Sequence, residues 1–271
     1  MTSKYLALAA LAAAGLAASA AAQSDERAER ALRDFTAIWL VQPSDQPLGV
    51  RSVSDGDYVF RNRLLPLALI RLTADAVDRQ SGEVVAGAGT QLFGVMTRGA
   101  PIYCIVGRRE PSAAMRILWQ GGNRQICLVD LEKDGTLDAH FRVGNQVMGV
   151  PNFAGRRPRD PDPLTGAAYE ELAPDQIAVE YFVGVKYEGV VGLLRRRPTP
   201  VFSIEFGTEQ SRERLTDQLR PVRRSDPWLV TPMGAEFTVN AIEGDSITID
   251  VRRNVPAQPF HVVRTVTYSY Y

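Results

Sequence analysis

From Gly49 onward the chain is built of short apolar runs divided by glycine, aspartate, asparagine and proline. The runs lie at 58–60, 67–72, 82–85, 91–96, 102–106, 115–119, 125–131 and 137–143, and the separators include SDGD, RQSG, TRGA and QGGN. Short runs with turn chemistry at regular spacing predict strands joined by hairpins, and so an antiparallel sandwich or a partly open barrel. Over 177–187, Ile177, Val179, Tyr181, Val183, Val185 and Tyr187 alternate onto one face, and Phe202, Ile204 and Phe206 do the same. The stretch EFTVNAIEGDSITIDV, 236–251, reads as a hairpin with a three-residue loop, Glu243-Gly244-Asp245. That loop sets Ala241 opposite Ile247, Val239 opposite Ile249 and Phe237 opposite Val251, so every apolar pair shares a face. The last ten residues, VVRTVTYSYY, read as one more strand.

Helical spacing occurs twice. In 24–40, SDERAERALRDFTAIWL, Ser24 can cap the first turn and Asp25 and Glu26 sit in it, while Ala28, Leu32, Phe35 and Trp39 form an apolar stripe. This predicts an N-terminal amphipathic helix packed on a sheet. In 208–219, Leu215 and Leu219 are four apart, which predicts a short second helix. Between the two β-rich parts, 151–175 holds five prolines and mixed charge without an apolar period, and reads as a loop or linker. The chain therefore divides into a leader at 1–22, a helix and first β part at 23–150, a proline-rich loop or linker at 151–176, and a second β part at 177–271. The two β parts either share one core or form two.

The leader carries the address. Lys4 precedes an apolar Leu/Ala run that ends in Ala20-Ala21-Ala22 before Gln23, the pattern of a signal peptide cleaved after Ala22. A membrane-spanning helix is the alternative reading, but the run is short and has no cationic stop-transfer flank. No cysteine follows it, so a lipid anchor is not indicated. The expectation is a periplasmic or extracellular protein with no integral membrane helix in the mature chain.

Charge narrows the partners. Of 31 Lys+Arg and 31 Asp+Glu, the leader removes one lysine, leaving 30 against 31 and a net charge of −1. Without a basic field, a nucleic-acid partner is disfavoured. An envelope component or a small ligand remains open. Cys104 and Cys127 are the two cysteines, and in an oxidising compartment they are expected to pair.

One motif invites a metal. In DLEKDGTLD, Asp130, Glu132, Asp134 and Asp138 surround Gly135. The nine residues resemble the D-x-D-x-D-G-x-x-D loops of EF-hands, dockerins and thrombospondin type-3 repeats. The resemblance implies calcium held by Asp130, Glu132, Asp134 and Asp138, with a backbone carbonyl from Thr136. The position of the closing bidentate acid is Phe141, the third position is Glu132, and the flanks ICLV and AHFRV read as strands. The other reading is a bulged hairpin with loop Lys133-Asp134-Gly135, pairing Leu131 with Leu137, Val129 with Ala139 and Cys127 with Phe141. It places Asp130 opposite Asp138, a repulsion of up to about 1 kcal/mol.

Beyond calcium no cofactor is indicated, and no catalytic residue is flagged: there is no G-x-S-x-G, S-x-x-K or phosphate-binding glycine loop. His140 falls on the polar face of its strand and reads as a solvated surface histidine. The basic clusters at 155–160 and 193–200 read as solvated loops. Three functions follow: a non-enzymatic envelope protein that binds or scaffolds; a hydrolase or carbohydrate-active module whose acids assemble only in the fold; or a small outer-membrane barrel, raised by the aromatic end Tyr268 to Tyr271.

Overall fold

The computed structural model describes residues 25–44, 46–107, 124–144, 150–192, 198–219 and 227–262. The leader and its cleavage position, the run at 115–119 and the terminal strand from Val263 on lie outside the described residues. The protein is mainly β, as its apolar pattern predicts, and its strands pair antiparallel.

Three sheets carry the fold. A closed barrel runs in the order Ile102–Ile105, Arg124–Val129, Thr136–Gly144, Asp162–Leu172, Leu69–Leu72, Gln91–Gly94. A six-stranded sheet runs Arg212–Leu219, Thr199–Gly207, Tyr181–Val191, Tyr58–Pro66, Trp39–Val41, Gln258–Phe260, and a four-stranded sheet runs Trp228–Val230, Glu236–Glu243, Ser246–Arg253, Gly49–Ser54. The last two face each other. Phe237 of the four-stranded sheet meets Phe60 and Phe202 of the six-stranded one, with ring centroids 5.7 and 5.2 Å apart. Tyr181, Val183, Val185 and Tyr187 are buried along one strand, on the face their alternation predicts.

The two β parts share one core. Trp39 touches Tyr181 at 4.7 Å and Phe93 of the barrel at 5.2 Å, and a single buried cluster runs from Phe93, Cys104 and Phe141 to Val183, Phe202 and Phe237. Each such large apolar side chain contributes about 1.5–3 kcal/mol on burial. Trp39 also donates its indole N–H to the Pro151 carbonyl at 2.8 Å, so its one polar group is satisfied. Barrel strands bury alternate residues in two clusters: Leu69, Phe93, Cys104 and Cys127 in the shared core, Ile70, Leu92 and Leu128 in a smaller one. The Cys104 and Cys127 sulfurs lie 2.01 Å apart on directly opposed residues, a disulfide across neighbouring strands.

Several expectations are corrected. The N-terminal helix spans only 25–31, and Asp34–Thr36 and Trp39–Val41 are strands. Leu32 is 52% exposed, so the predicted stripe does not pack as one. Phe35 and Trp39 are buried instead through pairing with neighbouring strands, which outweighs a helical spacing. The expected helix near 208–219 is the strand Arg212–Leu219, with Glu205 opposite Arg214. A spacing of four suits one turn of a helix and the period of two of a strand equally, so the spacing did not discriminate. The expected linker at 151–176 contains the eleven-residue strand Asp162–Leu172, paired on both edges within the barrel. Its core contribution is small, Leu164 and Ala167, which hides the period; Pro163 sits beside a register shift, where a missing N–H is tolerated.

Both hairpins hold their register away from the turn and depart from it there, one tightening and the other opening. Val239 faces Ile249 and Phe237 faces Val251, but a shift at Asn240 sets Ile242 opposite Ile247 and leaves a two-residue turn, Gly244-Asp245. Gly244 has φ 62°, which suits the mirror-image hairpin turns. In the other hairpin Cys127 faces Phe141 and Val129 faces Ala139 as expected, but the strand ends at Val129 and Leu131 stands in the loop, 38% exposed.

Candidate functional site

The acidic loop is where the sequence points to a metal. Asp130 is buried and its two carboxylate oxygens accept the backbone N–H groups of Asp134 at 3.2 Å and Gly135 at 3.0 Å. Asp138 accepts from Leu131 at 2.8 Å and Glu132 at 3.4 Å, and Asp134 accepts from Thr136 at 2.9 Å. The acids therefore cap the amides of their own loop, as Asx turns do. Glu132 is exposed. Lys133 and Gly135, with φ 60° and 86°, supply the two left-handed positions that the tight reversal needs. Among the described residues no three His, Cys, Asp or Glu side chains converge on one metal position. The strand pairing ends at Val129 and Ala139, so Asp130 and Asp138 do not form the expected cross-strand pair, and each is held by loop amides instead.

The site that sequence reasoning missed lies on the same hairpin, one strand over. His140 is 7% exposed, not solvated. It stands opposite Leu128 and Asp162 in the barrel register. Its Nε2 meets Asp78 Oδ2 at 2.8 Å. Asp78 opens the loop between Ala76–Val77 and Val84–Ala86, a small hairpin that Gly82 reverses with φ 72°. Asp78 Oδ1 accepts the Ser81 N–H at 2.7 Å, the Gln80 N–H at 2.9 Å and the Ser81 hydroxyl at 3.0 Å. His140, followed by these donors, holds the Asp78 carboxyl well below the usual range. An ionised Asp78 has only lone pairs to offer, so Nε2 carries the proton between them and, in the neutral ring, Nδ1 is an acceptor. Nδ1 is buried and has no hydrogen-bond partner.

This pair borders a cavity of about 550 Å³. Its lining combines the apolar Val84, Val85, Ile126 and Phe141 with the charged Glu83, Arg142, Asp160 and Asp162. Glu83, Asp160 and Asp162 are exposed and make no ion pair among the described residues. Ser81 does not complete a nucleophile triad: its hydroxyl goes to the carboxylate, not to the imidazole.

A second polar cluster, on the outer face of the six-stranded sheet, behaves differently. Glu205, 8% exposed, accepts the Tyr58 hydroxyl at 2.8 Å and lies 3.6 Å from Lys186 and 3.7 Å from Arg214. Glu188 accepts the Ser203 hydroxyl at 2.7 Å and pairs with Arg214 at 3.0 Å. Two carboxylates thus face two cations. Burial first, then Glu205, pushes the Tyr58 phenol up to about 12. Arg61 and Arg212 both cover the Phe182 ring and both pair with Glu209. Gly184 leaves the room: a Cβ there would come within 2.7 Å of the Tyr58 ring. His261 is structural too, its Nδ1 bonding the Ala37 carbonyl at 2.9 Å.

No protein family model matches the chain, and no curated protein or solved structure matches it. The functional reading therefore rests on the residues themselves.

Proposed function

We propose that this is an exported, non-enzymatic binding protein of the cell envelope or exterior, and that the cavity beside His140 is where it binds a small ligand. The observation that carries the reading is the cavity itself: its volume falls within the range of small-molecule sites, its lining mixes apolar with charged side chains, and Glu83, Asp160 and Asp162 make no ion pair among the described residues. Export rests on the leader sequence, and the disulfide is compatible with an oxidising compartment.

The hydrolase alternative has less support. Where a carboxyl among the described residues departs from its ordinary range, at Glu26, Asp34, Asp78 and Glu209, the direction is downward, whereas a general acid needs an upward shift. The membrane-barrel alternative asks for spanning strands of about 9–11 residues. Three of the six barrel strands have four residues, and both faces of the wall are packed against protein.

A mixed library of small polar and apolar fragments, screened by amide NMR on residues 23–271, tests the reading. Saturable shifts confined to 78–85, 126 and 140–142 are expected. Hits confined to another surface would refute it. Expression of the full chain in a bacterial host tests export: the product should reach the periplasm with Gln23 as its first residue.

A further inference from the structure

The basic run GRRPRD, 155–160, reads from the sequence as a solvated loop, but its first residues are held in a small sheet. Ala154–Arg156 pairs with Asp34–Thr36, which pairs on its other side with Met96–Thr97. Opposed residues of antiparallel strands point to the same face. Phe35 is buried, with Gly155 and Thr97 beside it, so Met96, Thr36 and Ala154 form one row of the outer face and Asp34 and Arg156 the next. Asp34 is held below its ordinary value by Arg156 first, with Arg33 and Arg98 adding to it, which brings Arg98 to the same row. Met96 and Leu32, toward opposite ends of this face, are each 52% exposed.

Over 25–36, 96–98 and 154–159 the chain carries seven arginines and four acids, an excess of three cations in a mature chain of net charge −1. Three of these arginines have carboxylate partners: Arg30 with Glu26, Arg156 with Asp34 at 2.7 Å and Arg159 with Glu29 at 3.7 Å. Arg27, Arg33, Arg98 and Arg157 make no ion pair among the described residues. Arg33 and Arg157 stand one step beyond the ladder, with the Arg157 N–H on the Arg33 carbonyl at 2.8 Å. Burial first, then the charge of Arg33, pushes the Arg157 guanidinium below its ordinary value. Like charge is thus set beside like, an arrangement that destabilises a ladder.

We infer that the outer face of this small sheet docks on an anionic lipid surface, with its arginines at the level of the phosphates and Leu32 and Met96 entering the headgroup boundary. Two independent features converge there: guanidinium charge without counter-charge, and large apolar side chains left in water beside it. Lipid phosphates supply the missing counter-charge, and arginine meets them through paired N–H donors. A nucleic acid would use the charge but leave Leu32 and Met96 in water. A second copy of the chain would bury those two side chains but bring arginine against arginine. This partner goes beyond the small-ligand reading and does not use the cavity beside His140.

Flotation of residues 23–271 with vesicles tests it, using phosphatidylcholine alone and phosphatidylcholine with about one-third phosphatidylglycerol. Binding to the anionic vesicles should exceed binding to the neutral ones at least about tenfold, and should fall at least about tenfold between about 0.05 and 0.5 M sodium chloride. Arg98→Gln/Arg156→Gln/Arg159→Gln, all on exposed side chains, should weaken binding at least about tenfold. Leu32→Ser/Met96→Ser should weaken it about threefold or more. Arg71→Gln/Arg79→Gln/Arg252→Gln, which removes the same charge from exposed positions elsewhere, should bind as wild type does. Equal binding to neutral vesicles, binding to neither, full affinity in either variant of the face, or equal loss in the two arginine triples overturns the inference. So does a dimer in solution that Leu32→Ser/Met96→Ser dissociates. Each of these outcomes leaves the fragment screen of the cavity untouched, so the two readings fail separately.

Discussion

Two polar clusters of this protein can be set side by side. On the outer face of the six-stranded sheet, Glu205 and Glu188 are matched by Lys186 and Arg214 and topped by two hydroxyls. At the barrel, Asp78 and His140 hold each other, but the second imidazole nitrogen and three nearby carboxylates stay uncommitted beside a cavity. Both clusters are rich in charge. The difference is completion. A cluster that satisfies itself braces the strands that carry it, whereas one left with acceptors and an open volume is arranged for something else.

That contrast can be broken from below, where the effects are largest. Phe202 lies under the self-satisfied cluster, fully buried between Tyr187 and Phe237. Phe202→Ala should lower the free energy of unfolding by about 3–5 kcal/mol in urea titration, and a loss under 1 kcal/mol would mean that the sandwich core is not built around it. On the barrel side, Cys127 faces Phe141 of the cavity wall, and the disulfide closes a separation of 23 residues. Cys104→Ala/Cys127→Ala should lose about 3 kcal/mol by the chain-entropy argument, read from the same titration.

Smaller effects sharpen the comparison. Tyr58→Phe removes one bond to a carboxylate in the braced cluster and should lower stability by about 1 kcal/mol. The phenol is raised above its ordinary 10 to about 12, so its contribution is complete below pH 10 and is lost as the pH climbs toward 12. Wild type should therefore weaken in that window more than Tyr58→Phe does. Asp78 has the opposite sign. Its carboxyl is held down in the folded state by His140, so its contribution is present above the unfolded value near 4 and is lost as the pH falls below it. Asp78→Asn should flatten the acid limb of the stability curve; parallel curves for variant and wild type would mean that the contacts of the ionised Asp78 with His140, Ser81 and Gln80 contribute nothing. Smallest of all, Glu170→Gln, which breaks an exposed pair with Arg71, should change stability by less than about 1 kcal/mol.

Much of the framework was legible because burial imposes a period of two. Val239 opposite Ile249 and Cys127 opposite Phe141 follow from matching apolar faces across a turn, and the structure holds both pairs. The turns themselves were less legible, since a shift at Asn240 or an early strand end at Val129 turns on local hydrogen bonds. The strand Asp162–Leu172 was hidden by small and charged residues that are extended only because both neighbouring strands pair with them. At the site, Asp78 only adjoins the turn signal RQSG and His140 read as surface; nothing in either neighbourhood announces a partner 62 positions away.

By itself the sequence determined the β class, the pairing of two hairpins away from their turns and the two cysteines able to bond, because each depends on neighbours a few residues apart or on side-chain period. The tertiary structure alone decided that the two β parts share a core, that the acidic loop turns its carboxylates onto its own amides, and that an imidazole meets a distant aspartate beside a cavity. Those outcomes depend on which strands close the barrel, and strand closure is settled by the summed burial of the whole chain rather than by any local run of residues.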